Sequence, residues 1–151
     1  MLTTASPQTF GTAILQSSSP LDMQVWFPCA IDNPMRLRSD IWVKAYLRTC
    51  AASGAHAVVV RHGDDDAGAI YIKVSRLDGT AMAFGPAPAG WDGAATDRRW
   101  IALTGATRHP ERDVDEMLRR ESEFDPDVWI VEVEDKSGRN FLDGWLDDRG
   151  A

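Results

Sequence analysis

The stretch AIYIKVSRLDGTAMAF, residues 69–84, decides the fold. From Ile70 to Ser75 the side chains alternate, with Ile70, Ile72 and Val74 on one face and Tyr71, Lys73 and Ser75 on the other. A period of two is that of a half-buried strand. Asp78-Gly79 signals a hairpin, because the tightest turns need residues that accept positive φ. Thr80–Phe84 then reads as the returning strand.

Upstream, Val58-Val59-Val60 within Ala55–Arg61 reads as a buried strand. The turn residues Gly63-Asp64-Asp65-Asp66-Ala67-Gly68 join it to residue 69, so that three strands form an antiparallel meander. Before it, Ile41–Ser53 predicts a helix with Val43, Leu47, Cys50 and Ala51 at helical spacing. Ser39 is the expected N-cap, Asp40 suits the first turn, and Gly54 is a natural stop. Downstream, residues 85–97 are rich in Gly, Ala and Pro and read as a loop around Trp91. Arg99–Thr104 is the fourth strand. A second helix follows Pro110, a residue suited to the first helical position, with Val114, Met117, Leu118 and Glu121 on one side, and Pro126 ends it. Val128–Glu134 is a strand, Lys136-Ser137-Gly138 a turn and Asn140–Leu142 a short final strand. The expected class is α+β: a mostly antiparallel sheet of about five strands covered by two helices.

The chain has 151 residues, 44% hydrophobic and 26% charged, which suits one globular domain with its own core. Its formal charge of −7 disfavours general binding to nucleic-acid phosphates. No apolar run is long enough for a membrane helix. Two cysteines, Cys29 and Cys50, and no secretion signal suggest a cytoplasmic protein.

Residues 1–34 contain no Lys or Arg; all 16 basic residues follow them. A gap of this length arises by chance roughly once in a hundred. Rich in Ser, Thr and Pro, the segment reads as a disordered arm. Its composition breaks at Met35, and a start codon there would make the arm upstream sequence read in frame. The domain is accordingly expected over residues 35–142, followed by an acidic tail over 143–151. Deleting residues 1–34 is expected to leave the fold intact, with the thermal midpoint within about 3 °C.

Three blocks carry a resemblance: Met35-Arg-Leu-Arg-Ser-Asp-Ile-Trp-Val43, Ala69-Ile-Tyr-Ile-Lys-Val74 with Leu77-Asp-Gly79, and Phe124-Asp-Pro-Asp-Val-Trp129 with Val131-Glu-Val-Glu-Asp135. In this order they resemble a family of short, mostly alphaproteobacterial proteins known as domain of unknown function 1491. The resemblance spans roughly residues 35–142. Members typically begin at the position of Met35, which implies the start just described. The family has no assigned activity, so no functional residue is implied.

No motif carries chemistry by itself. Gly63-x-x-x-x-Gly68 has the spacing of a phosphate loop, but Ala69-Ile70 stand where Lys and Ser or Thr belong, and three Asp side chains would repel a phosphate. A solvated hairpin turn is the stronger reading. The Asp triplet beside His62 lacks converging ligands for a metal. Neither His56 nor His109 belongs to a ligand pattern. Cys50 lies on the apolar helix face, as an inert thiol does, and no cofactor is expected.

Arg61, Lys73, Arg76, Arg98 and Arg99 lie on or beside the expected sheet. If Arg61 and Lys73 share a face, a basic patch beside Tyr71 and Trp91 would suit a small anion or an acidic partner protein. The opposing reading pairs these cations with Glu132 and Glu134. Trp91 and Trp145 are each either packed over the core or offered to a partner. Two functions follow. The favoured one is a small non-catalytic binding or adaptor protein. The alternative is an enzyme using His62 with a carboxylate of Asp64–Asp66 as acid and base.

Overall fold

In the computed structural model, which describes residues 37–88 and 98–147, the hairpin forms as its sequence dictates. Strand β2 (Ile70–Ser75) pairs antiparallel with β3 (Thr80–Pro86), Ile72 opposite Phe84 and Ser75 opposite Ala81. Gly79 supplies the positive φ of +80°. Around this hairpin lie β1 (His56–Arg61), β4 (Trp100–Ala102), β5 (His109–Pro110) and β6 (Trp129–Glu134). The readings on Met35, the residues before it, Trp91 and residues 148–151 lie outside the described residues.

The fold is α+β, and its mostly antiparallel sheet has six strands. The order is β1-β6-β2-β3-β4, with β5 also pairing to β3. The expected meander is therefore corrected: β6 stands between β1 and β2, antiparallel to the first and parallel to the second. The Val131 and Val133 side chains of β6 are fully buried, which demands a central position. The residues between Arg61 and Ile70 span the gap of one strand, rather than turning a hairpin.

The Val58-Val59-Val60 run is likewise corrected. It lies on an edge strand and remains 40%, 37% and 59% exposed. An apolar run can fit either a central or an edge strand, and its neighbours decide which. The expected last strand over Asn140–Leu142 does not form, because Phe141 takes a left-handed φ of 53°. Leu142 instead enters the core, and Leu146 makes a single parallel bridge to Trp100. Trp145 packs edge-on against Trp42 at 5.6 Å, so the chain stays on the domain beyond Leu142.

Helices α1 (Ser39–Ala52) and α2 (Glu111–Phe124) cover opposite faces of the sheet. Trp42, Val43, Tyr46 and Cys50 of α1 meet Ile70, Ile72, Val131 and Val133. Val114 and Leu118 of α2 meet Ala81, Ala83 and Ile130 on the other side. Alternation along β2 and β6 thus sends successive residues to different helices. Pro110 ends β5 and α2 follows it directly, with Pro110 as the N-cap.

Ser39 is not the N-cap. Its hydroxyl donates to the Gly68 carbonyl at 2.8 Å, while Arg38 borders the helix. The first helical amides, of Ser39 and Asp40, donate to the carbonyls of Asp66 and Asp65 at 3.4 and 3.1 Å. Loop carbonyls thus satisfy donors that a capping side chain would otherwise serve.

Candidate functional site

The structure distributes the basic sheet residues instead of gathering them. Lys73 is buried beneath α2, where its ammonium donates to Asp115 Oδ1 at 2.6 Å and Glu111 Oε1 at 2.8 Å. Glu132 Oε2 lies 3.5 Å away. Burial opposes the charge, but the hydrogen bonds to Asp115 and Glu111 outweigh it and raise the Lys73 pKa. Three carboxylates around one ammonium leave no basic surface there. Tyr71 lies on the same face and donates to Glu121 Oε2 at 3.0 Å; burial first, then this carboxylate, pushes its phenol up to about 12.

Arg98 is buried and bonds the Gly68 carbonyl at 3.1 Å and the Ser39 hydroxyl at 2.7 Å, locking α1 to the start of β2. Arg99 donates to the Gly144 carbonyl, Arg76 to that of Lys136 and Arg61 to that of Pro126. Each guanidinium ties one backbone segment to another. The expectation of a patch uniting Arg61 and Lys73 is corrected, because a sheet face on which α2 sits cannot also be open.

The Asp triplet forms a built junction. Asp64 Oδ1 accepts the amides of Asp66 and Ala67 at 3.1 and 2.7 Å, which closes a local turn. The Asp64 amide donates to the Asp127 carbonyl at 3.0 Å, and the Trp129 indole donates to the Asp64 carbonyl at 2.8 Å. Gly63 and Gly68 permit this approach: a Cβ at either would lie 2.2 or 2.5 Å from the Asp127 oxygen. The solvated hairpin turn is thus corrected to a crossover packed against residues 127–129. Asp66 pairs with Arg38 at 2.9 Å.

His62 follows β1 and lies over the Trp129 ring, 3.9 Å between centroids. Its Nε2 is 3.2 Å from Asp65 Oδ1, so of the three carboxylates over Asp64–Asp66 it is that of Asp65 that lies beside His62. Beside it, α1 and β1 enclose a groove of about 260 Å³. Val43, Leu47, Val59 and Trp129 line it with apolar surface; Asp40, Lys44, His62 and Asp65 form its polar rim. Lys44 is neutralised by Asp40 at 3.0 Å across one helical turn.

Sequence reasoning reached only His62 and Asp65 among these residues. The signal for the rest was the Val run flanked by His56 and Arg61, which suits an edge, together with the Asp40–Lys44 spacing on the helix. Among the described residues, no group of three or more His, Cys, Asp or Glu is arranged to hold a metal ion.

A six-stranded mixed sheet with one helix on each face and a groove at its β1 edge defines a small α+β domain. The chain belongs to the DUF1491 family, whose model, described as a protein of unknown function, matches residues 37–143. A crystal structure of a DUF1491 family protein from Caulobacter crescentus CB15 is 38% identical, with 75% of this chain and 99% of that one covered and a TM-score of 0.62. A DUF1491 family protein from the same organism, solved by NMR, is 41% identical over 75% and 98% of the two chains, also with a TM-score of 0.62. A solution structure from A. tumefaciens is 34% identical over 66% and 86%, with a TM-score of 0.56. No curated protein matches the chain. Among the described residues, no helix is long and apolar enough to cross a membrane.

Proposed function

We propose that this is a non-catalytic binding protein of the cytoplasm that engages another protein at the groove between α1 and β1. The observation that carries the reading is the exposure of Val58, Val59 and Val60 on an edge strand beside that groove. Soluble proteins usually blunt such an edge with charge or cover it, and an uncovered apolar edge is a site for a partner.

The enzyme reading has one observation in its favour, the His62–Asp65 pair at the groove rim. A histidine oriented by a carboxylate can accept a proton. The remaining rim groups, Lys44 and Asp40, neutralise each other, and among the described residues the lining offers no hydroxyl or thiol nucleophile. Binding is therefore the better account of the groove.

A photo-cross-linking residue placed at Val60, or at Leu77 at the opposite end of the sheet, tests this in the native host. Both side chains are exposed. A discrete adduct from Val60 and none from Leu77 is expected, and His62→Ala should not change it. Equal labelling at the two positions, or none at Val60, would exclude the groove as the binding face.

A further inference from the structure

Resting on that reading, we infer that the partner enters as an extended, basic segment that adds to the sheet as a new strand along β1. The geometry of the edge comes first. Among the described residues β1 pairs only with β6, so the backbone groups on its other side face outward over a six-residue strand. An incoming extended chain satisfies them with main-chain hydrogen bonds, which supply affinity without requiring a particular sequence.

Helix α1 rises above the same edge. Every second side chain of an added strand would point up toward Val43, Leu47 and Val59, and the remainder away from α1. The groove, at about 260 Å³, suits one aliphatic side chain of moderate size. Strand addition therefore uses both features of the site, the open backbone and the apolar cavity. A helical partner would fill the cavity and leave the edge unpaired.

Charge selects the sign of the segment. Asp64, Asp65 and Asp127 are exposed at the Arg61 end of β1, and Arg61 is already directed onto the Pro126 carbonyl. The whole chain carries a formal charge of −7. A field of this sign draws a Lys- or Arg-bearing segment and repels an acidic one. It also disfavours a second copy of the chain, which would bring −7 against −7. The register of β1 shifts between Val59 and Arg61, and such a bulge twists the strand end. Two rigid copies meeting edge to edge would have to match that twist about a two-fold axis, whereas a flexible segment follows it.

The probe is an acetylated and amidated hexapeptide of alternating Lys and Val, titrated to about 1 mM into the full chain labelled with ¹⁵N. Its counterpart alternates Glu and Val. The Lys peptide should shift the amides of Ala57 to Val60 and slow their hydrogen exchange, and the Glu peptide should bind at least about tenfold more weakly. Asp65→Asn should narrow that difference while leaving the fold intact, since the Asp65 side chain pairs only with His62 in the described structure. Equal binding of the two peptides would overturn the charge argument and the inference with it. Shifts in β1 that depend on protein concentration without peptide would assign the edge to a second copy and also overturn it. If the Val60 adduct forms in the host while the Lys peptide leaves β1 untouched, strand addition fails and the groove reading stands. If neither occurs, both fail.

Discussion

Replacing Trp100 by Ala is expected to destabilise the domain by about 4 kcal/mol, the range for removing a fully buried large aromatic. Trp100 is 1% exposed and stacks on Trp42 with 4.2 Å between ring centroids. Trp42 in turn stacks on Tyr46 at 5.0 Å, so the ring joins β4 to α1 through a column of aromatics. Its indole donates to the Ile70 carbonyl at 2.9 Å, a bond whose loss leaves a buried acceptor without its partner. The backbone of the same residue holds the C-terminal segment: its amide donates to Trp145 and its carbonyl accepts from Asp147. Trp100→Phe retains part of the stack and loses the indole bond, and should cost about half as much. Urea unfolding measures both. A cost for the Ala variant below about 1.5 kcal/mol would show that the cavity collapses and that the aromatic column is not a keystone of the core.

Lys73→Met is expected to cost about 3 kcal/mol at pH 7, toward the lower limit for breaking a buried charge cluster because the carboxylates reach solvent. The Met side chain fits the space of the aliphatic stem, so the loss is one of charge. The distinctive result lies in the pH dependence. In the native protein the Lys73 hydrogen bond holds the Glu111 carboxyl below its ordinary value of 4.5. A depressed carboxylate contributes stability that is present above the unfolded value and lost as pH falls through the folded one. Acidification below about 4.5 should therefore weaken the native protein. In the variant Glu111 loses the Lys73 hydrogen bond that lowers its pKa and faces the Asp115 and Glu132 carboxylates without a cation, so its pKa moves above that of the unfolded chain. Stability should then rise as pH falls from 7 toward 4.5, a window over which the Glu111 contribution in the native protein stays nearly constant. Chemical denaturation at pH 7.5 and 5 separates the two cases. Parallel trends for the two proteins would mean that Lys73 does not organise the three carboxylates.

Much of the fold was legible because its signals are local. The alternation of Ile70–Ser75, the Asp78-Gly79 turn and the helical spacing of Val43, Leu47 and Cys50 depend on residues close in sequence. The strands and helices they indicate formed with small shifts at their ends. Pairing is a different matter. The insertion of β6 between β1 and β2 depends on which strand can bury Val131 and Val133, a competition between segments some seventy residues apart. From the sequence, the Val58-Val59-Val60 run looked at least as apolar as its rival.

The same distinction governs the candidate site. Lys73 and Arg98 looked like surface cations because a charge in a sequence gives no sign of what will lie above it. Only the seating of α2 over β2 turned Lys73 inward, and only the approach of α1 to the β1–β2 junction enclosed Arg98 with Ser39 and Gly68. His62 and Asp65 were recognisable as chemistry-bearing residues, but their apolar companions Val43, Leu47, Val59 and Trp129 come from three separate elements and the groove exists only where these meet. The sequence by itself determined the elements, the acidic charge and the family. Tertiary structure decided which strand became the edge and which charged groups were buried, because burial is a property of neighbours distant in the chain.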